Sequence, residues 1–133
     1  MRDAARWYIS HPAPHRFDWA WIDRVVEAAE KFHLKLFLDL WHYGYPDWLD
    51  LMSEDAPAHF TEFAREIARR YPTIQYYCVS NEPSAMVHEA GKKGRWKPFM
   101  RRKDPVALRR QIARMIIAAS KGVLEIRPQA QLV

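Results

Sequence analysis

At 133 residues, with 49% hydrophobic and 28% charged side chains, the chain has an ordinary globular composition and enough length to bury one core. No apolar run approaches the roughly 20 residues of a membrane-spanning helix, and residues 1–6 are followed by no apolar segment of signal-peptide type. No membrane partner and a cytoplasmic location are therefore expected. The single cysteine, Cys78, excludes an internal disulfide, and its place in an apolar run suits a buried thiol.

The formal net charge of +5 is unevenly spread: residues 1–90 carry 9 basic and 14 acidic side chains, residues 91–133 carry 12 basic and 2 acidic. Seven cations fall between Lys92 and Lys103, interleaved with Trp96 and Phe99. Such a segment could hold a phosphorylated ligand or a nucleic-acid backbone, but a solvated loop is the plainer reading, and no nucleic-acid partner is expected.

Strand-like and helix-like segments alternate, the order expected of parallel βα units. Residues 6–10 read as a first strand, closed by the turn-rich His11-Pro12-Ala13-Pro14-His15. His11 and His15 are four apart, yet the prolines between them forbid the helix that would pair them as ligands, so no metal is expected. Asp18 is placed to cap a helix with Ile22, Val25, Val26, Ala29 and Phe32 at helical spacing. Residues 34–41 read as a strand with Leu36, Leu38 and Leu40 on one face and Phe37, Asp39 and Trp41 on the other. Asp55 and Pro57 open a helix striped by Phe60, Phe63, Ala64, Ile67, Ala68 and Tyr71, which Pro72 ends. Residues 73–80 form the next strand, followed by a long basic loop. Asp104-Pro105 reads as a cap and first-turn proline for a helix carrying Leu108, Ile112, Met115, Ile116, Ala119 and Val123. Residues 130–133 look like the opening of one more strand.

Two motifs sit where strands end. Asn81-Glu82-Pro83 follows residues 73–80 directly, and His42, Tyr43, Tyr45 and Trp48 follow residues 34–41. In a βα barrel that rim is where chemistry is done. Glu82 suits a general acid/base that protonates a departing glycosidic oxygen. Asn81 offers an amide that donates and accepts, His42 a hydrogen bond to ring hydroxyls, and Tyr43 and Tyr45 flat faces for a pyranose. Glycoside cleavage needs a second carboxyl group, and neither Glu89 in the loop nor Glu125 in a helix lies in a nucleophile-like context.

The order of these motifs resembles the family 1 glycoside hydrolases, the β-glucosidase-like enzymes, or a near relative in their clan of barrel glycosidases. The similarity spans nearly the whole chain. Residues 6–10 look like the family's second barrel strand, usually Arg-x-Ser-x-Ser-Trp, with Tyr8 and His11 replacing the first serine and the tryptophan. The histidine, proline and Trp-Leu pair of residues 40–49 stand in the family's order after its third strand, with Tyr43 in place of a tryptophan. Asn81-Glu82-Pro83 looks like the end of the fourth strand with its acid/base.

The resemblance implies an α/β fold, a partial TIM (β/α)8 barrel over residues 1–133, running from about the second strand to the start of the fifth. It implies Glu82 as the catalytic acid/base, His42 and Asn81 as sugar contacts with Tyr43 beside them, and Arg6 as an arginine orienting a catalytic carboxylate. The expected activity is hydrolysis of β-glycosides or oligosaccharides with retention, without a cofactor, the isolated chain being inactive for want of a nucleophile. A non-catalytic carbohydrate-binding remnant and a basic polyanion-binding module are the alternatives. Open sheet edges are expected to favour self-association.

Overall fold

The computed structural model describes residues 1–100 and 104–133. Its elements in chain order are β1 (Arg2–Ala4), α1 (Trp7–Ser10), α2 (Ala20–Lys31), β2 (Phe37–Trp41), α3 (Ala56–Arg70), β3 (Tyr76–Ser80), α4 (Pro83–Met86), a π-helical turn (Val87–Lys92), α5 (Pro105–Ile126) and β4 (Gln131–Leu132). The four strands make one sheet in the order β1-β2-β3-β4, and every pairing is parallel, with Asp3 opposite Leu38, Leu38 opposite Tyr77 and Tyr77 opposite Leu132. Sequential parallel strands joined by helices define a partial (β/α)8 barrel.

The strands' two-residue period divides the sheet. Leu38, Leu40, Tyr77 and Val79 point towards the helices and are buried, while Tyr76, Cys78 and Ser80 on the other face are only partly so. The helices answer with stripes at helical spacing. Ile22, Val25, Val26 and Ala29 of α2, Phe60, Phe63, Ala64 and Ile67 of α3, and Leu108, Ile112, Met115, Ala119 and Val123 of α5 form one core with the sheet. Phe32, expected on the α2 stripe, lies at the helix C-cap and is 65% exposed. Asp104 accepts from the Ala107 amide at 2.8 Å, and Pro105 follows in the first turn of α5. Gly122 lets α5 lie close on α3, since a Cβ there would come within 2.8 Å of Thr61 Cγ2.

The first strand lies elsewhere than the sequence suggests. Residues 6–10 are not a strand: Arg6 turns the chain with a left-handed backbone (φ 50°, ψ 59°), and Trp7–Ser10 coil into α1. The ladder runs instead through Arg2–Ala4 and ends where the Ala5 amide donates to Asp39 O at 2.8 Å. Burial of Trp7 decides the matter. Its fully buried ring packs against Phe60, Trp41 and Phe63 at centroid distances of 4.5, 5.6 and 6.1 Å, a gain in apolar contact that outweighs the β propensity of Trp7-Tyr8-Ile9. The segment after β3 departs too, because residues 83–92 of the expected loop are helical.

Candidate active site

The C-terminal ends of β2 and β3 carry the two motifs to one rim. The Asn81 amide donates to Trp41 O at 2.9 Å, which continues the pairing one residue past β3 and sets Asn81 and Glu82 beside His42 and Tyr43. Glu82 and Tyr43 both have left-handed backbones, with φ of 44° and 65°, a conformation that costs a side-chain-bearing residue energy and turns both side chains out of the strand direction.

Beneath them lies Asp39, a carboxylate only 1% exposed. An unpaired charge so placed would be prohibitively costly, and it is paired on both oxygens. Oδ1 accepts from Arg2 Nε at 2.9 Å and Oδ2 lies 2.8 Å from His42 Nδ1. Arg2 Nη2 donates in turn to Asn81 Oδ1 at 2.6 Å and lies 3.8 Å from Cys78 Sγ. One polar chain therefore runs His42–Asp39–Arg2–Asn81 across three neighbouring strands. Asp39 holds the Arg2 guanidinium pKa above its ordinary value, first by the hydrogen bond and then by charge. Cys78, only half-buried rather than fully so, has its thiol pushed up by burial and by the same carboxylate.

Above this chain, the Tyr43 hydroxyl donates to Glu82 Oε2 at 2.7 Å. The carboxylate raises the phenol's pKa, and the neighbouring Asn81 side chain opposes that rise. The Tyr43 ring leans on Trp96, centroids 5.0 Å apart, and the two join Tyr8 and Tyr45 in walling an open cleft of about 410 Å³. Burial pushes the Tyr45 phenol up to about 12. Gly44 admits Tyr8 to the wall, because a Cβ at 44 would stand 2.6 Å from Tyr8 Cδ1.

The residues singled out by sequence thus divide. His42, Asn81, Glu82 and Tyr43 come together, whereas Arg6 lies outside the group, its guanidinium stacked 3.4 Å from the centroid of the Trp21 ring. Arg2 takes its place in the group, and Arg2 and Trp7 stand five residues apart, the spacing of arginine and tryptophan in the Arg-x-Ser-x-Ser-Trp pattern, with Ala4 and Arg6 at its serine positions. Asp39 received no site role from the sequence, and Trp96 was read only as part of the basic segment, not as a wall of this cleft. A lone aspartate in an apolar strand three residues before His42 was the available signal for the first. The basic segment is partly neutralised: Arg95 Nε meets Glu89 at 2.6 Å, Lys93 meets it at 3.7 Å, and Lys97 pairs with Asp47. Arg101, Arg102 and Lys103 of that segment lie outside the described residues.

Parallel strands with helices on one face define a segment of a βα barrel, and the polar group lies at the strands' C-terminal ends, the rim where such barrels carry their sites. The segment's fold is that of part of a family 1 β-glucosidase. The chain superposes on β-glucosidase from Thermotoga maritima in complex with deoxynojirimycin with a TM-score of 0.88 at 17% identity, covering 98% of this chain and 32% of that one. The AHE enzyme from Alicyclobacillus herbarius matches with a TM-score of 0.88 at 21% identity over the same shares. In sequence, the chain is 30% identical to a 6-phospho-beta-galactosidase of Lacticaseibacillus rhamnosus over an alignment of 83 residues that covers 59% of this chain and 18% of that protein. No protein-family model matches. The chain therefore spans less than a third of the length of these proteins, and the likeness read from its motifs is carried by fold and by this sequence match together. Among the described residues no helix is long and apolar enough to cross a membrane.

Proposed function

We propose that the chain is part of a glycosidase acting on β-glycosides with retention, supplying the acid/base Glu82 and the sugar-holding side chains His42 and Asn81. The observation that carries this reading is the convergence of Glu82 with the His42–Asp39–Arg2–Asn81 chain at the strand ends, where a ring hydroxyl and a glycosidic oxygen would lie on neighbouring groups. The likeness to glycosidases in fold and sequence supports it.

Retention needs a second carboxylate facing Glu82. Asp39 is engaged by Arg2 and His42, Glu89 by Arg95 and Lys93, and Glu125 by Arg65, so on this reading the nucleophile comes from outside the 133 residues and the isolated chain binds sugar without hydrolysing it. Cys78, which has no disulfide partner, suits a reducing compartment such as the cytoplasm. The outer edges of β1 and β4 have no strand partner among the described residues, and association through them is part of the proposal.

The test is an NMR titration of the chain with methyl β-D-glucoside, alongside an aryl β-glucoside hydrolysis assay. Shifts at His42 and Asn81 without turnover are expected. Supplying the remaining strands of a family 1 barrel in trans should restore turnover, and Glu82→Gln should abolish it. Sugar binding that leaves these residues unmoved would sink the assignment.

A further inference from the structure

We propose that Asp39 is a positioning residue that fixes the hydrogen-bond polarity of the site, making His42 an acceptor and Asn81 a donor towards the ligand. The ligand so selected is a neutral polyol presenting two hydroxyls, one that donates to His42 and one that accepts from Asn81. The ligand half of this inference rests on the proposed sugar-binding role of the two residues.

The argument follows from what each partner is able to donate. Arg2 has only donors, so Asp39, buried and bound by the guanidinium, stands as a carboxylate whose two oxygens only accept. His42 Nδ1, 2.8 Å from Oδ2, must then carry a proton, and the neutral ring is the Nδ1–H tautomer. Its Nε2 is left with a lone pair on a side chain that remains 40% exposed. At the other end of the chain the Asn81 atom facing Arg2 Nη2 at 2.6 Å must be the oxygen, again because the guanidinium cannot accept. The Asn81 amide nitrogen, with two N–H donors beside the Tyr43 phenol, then has a donor to offer a ligand. Two ring hydroxyls held by their neighbours in one sense, the first donating to Nε2 and the second accepting from the amide nitrogen, satisfy both ends. A carboxylate or a fully ionised phosphate only accepts, and at His42 it would meet the Nε2 lone pair, so a charged substituent of a substrate is directed away from this corner.

Asparagine at position 39 would reverse the pattern. Its oxygen must still face Arg2, which turns its amide N–H towards His42 Nδ1 and moves the ring proton to Nε2. The experiment is a ring-nitrogen correlation spectrum of 15N-histidine-labelled chain at mildly alkaline pH, for the wild type and Asp39→Asn, with a methyl β-D-glucoside titration of each. Expected are a protonated Nδ1 and bare Nε2 at His42 in the wild type, the opposite tautomer in Asp39→Asn, and affinity weaker by about tenfold in the variant, the effect of one mismatched hydrogen bond. A bare Nδ1 in the wild-type spectrum overturns the proposal even if the variant fails to fold. Equal affinities in spite of a flipped tautomer overturn the recognition claim. A protonated Nδ1 with no sugar bound by the wild type overturns the sugar reading while upholding the hold of Asp39 on His42.

Discussion

The Tyr43 hydroxyl donates to Oε2 of Glu82 across 2.7 Å, joining the loops that follow β2 and β3 at the group proposed to protonate the leaving oxygen. The ring behind that hydroxyl is held between His42 and Trp96, at centroid distances of 4.7 and 5.0 Å, so the orientation of the carboxylate is tied to the wall of the aromatic cleft.

This contact gives the first prediction. The Glu82 carboxylate is the foremost cause of the raised Tyr43 pKa, so Glu82→Gln should bring the Tyr43 phenol's ionisation down towards that of an ordinary tyrosine. The measurement is a pH titration of 13C-labelled tyrosine ring signals. An unmoved Tyr43 titration would show that the two side chains do not meet in solution.

A second prediction concerns acid. His11 is fully buried, accepts from Trp7 Nε1 at 3.1 Å and has no partner for Nε2 among the described residues, and burial holds its pKa down to about 4 from 6.5, against a smaller opposing pull from Glu62. The folded-state pKa is the lower one, so between these values the unfolded chain binds more protons, and stability falls as pH drops from about 6.5 to about 4. The loss from this group should approach about 3 kcal/mol at the lower end, at 1.36 kcal/mol per unit. Urea unfolding followed by tryptophan fluorescence across that window should show a shallower pH slope in His11→Phe.

Capping of α5 supplies a third. Asp104→Ala removes the acceptor for the Ala107 amide and should cost about 1 kcal/mol of stability, most of which Asp104→Asn or Asp104→Ser should restore. Urea midpoints of the three variants decide it, and equal loss in all of them would count against capping.

The α3–α5 contact supplies a fourth. Gly122→Ala gains about 1 kcal/mol of helix propensity but drives a methyl to 2.8 Å from Thr61 Cγ2, and overpacking of that kind costs about 1–3 kcal/mol. Net destabilisation is expected, relieved by Thr61→Ser in the same chain. A double-mutant cycle with no coupling would show that the helices separate without cost.

Long helices were legible before any coordinates, because α3 and α5 each announce themselves by a proline in the first turn and an apolar stripe at fixed spacing. The rim was legible as well, since a strand followed at once by Asn81-Glu82 leaves the glutamate one place to stand. What stayed hidden depends on partners distant in sequence. β1 is three residues with no apolar alternation and exists through its pairing with β2, while Trp7-Tyr8-Ile9, which has the residues of a strand, is claimed by the core. Asp39 could be placed on a strand face, but its meaning comes from Arg2, 37 residues away, and no local pattern encodes that meeting.

The polar chain and the Tyr43–Glu82 contact draw on residues 2–82, while α5 packs on α3 and β3 and, among the described residues, contributes none of these hydrogen bonds. The polar chain is thus one cassette of three consecutive strands. Under selection for sugar binding its residues should resist change as a block, whereas the outer surface of α5 is free to drift, and a graft of this cassette into another barrel would carry its hydrogen-bond pattern with it.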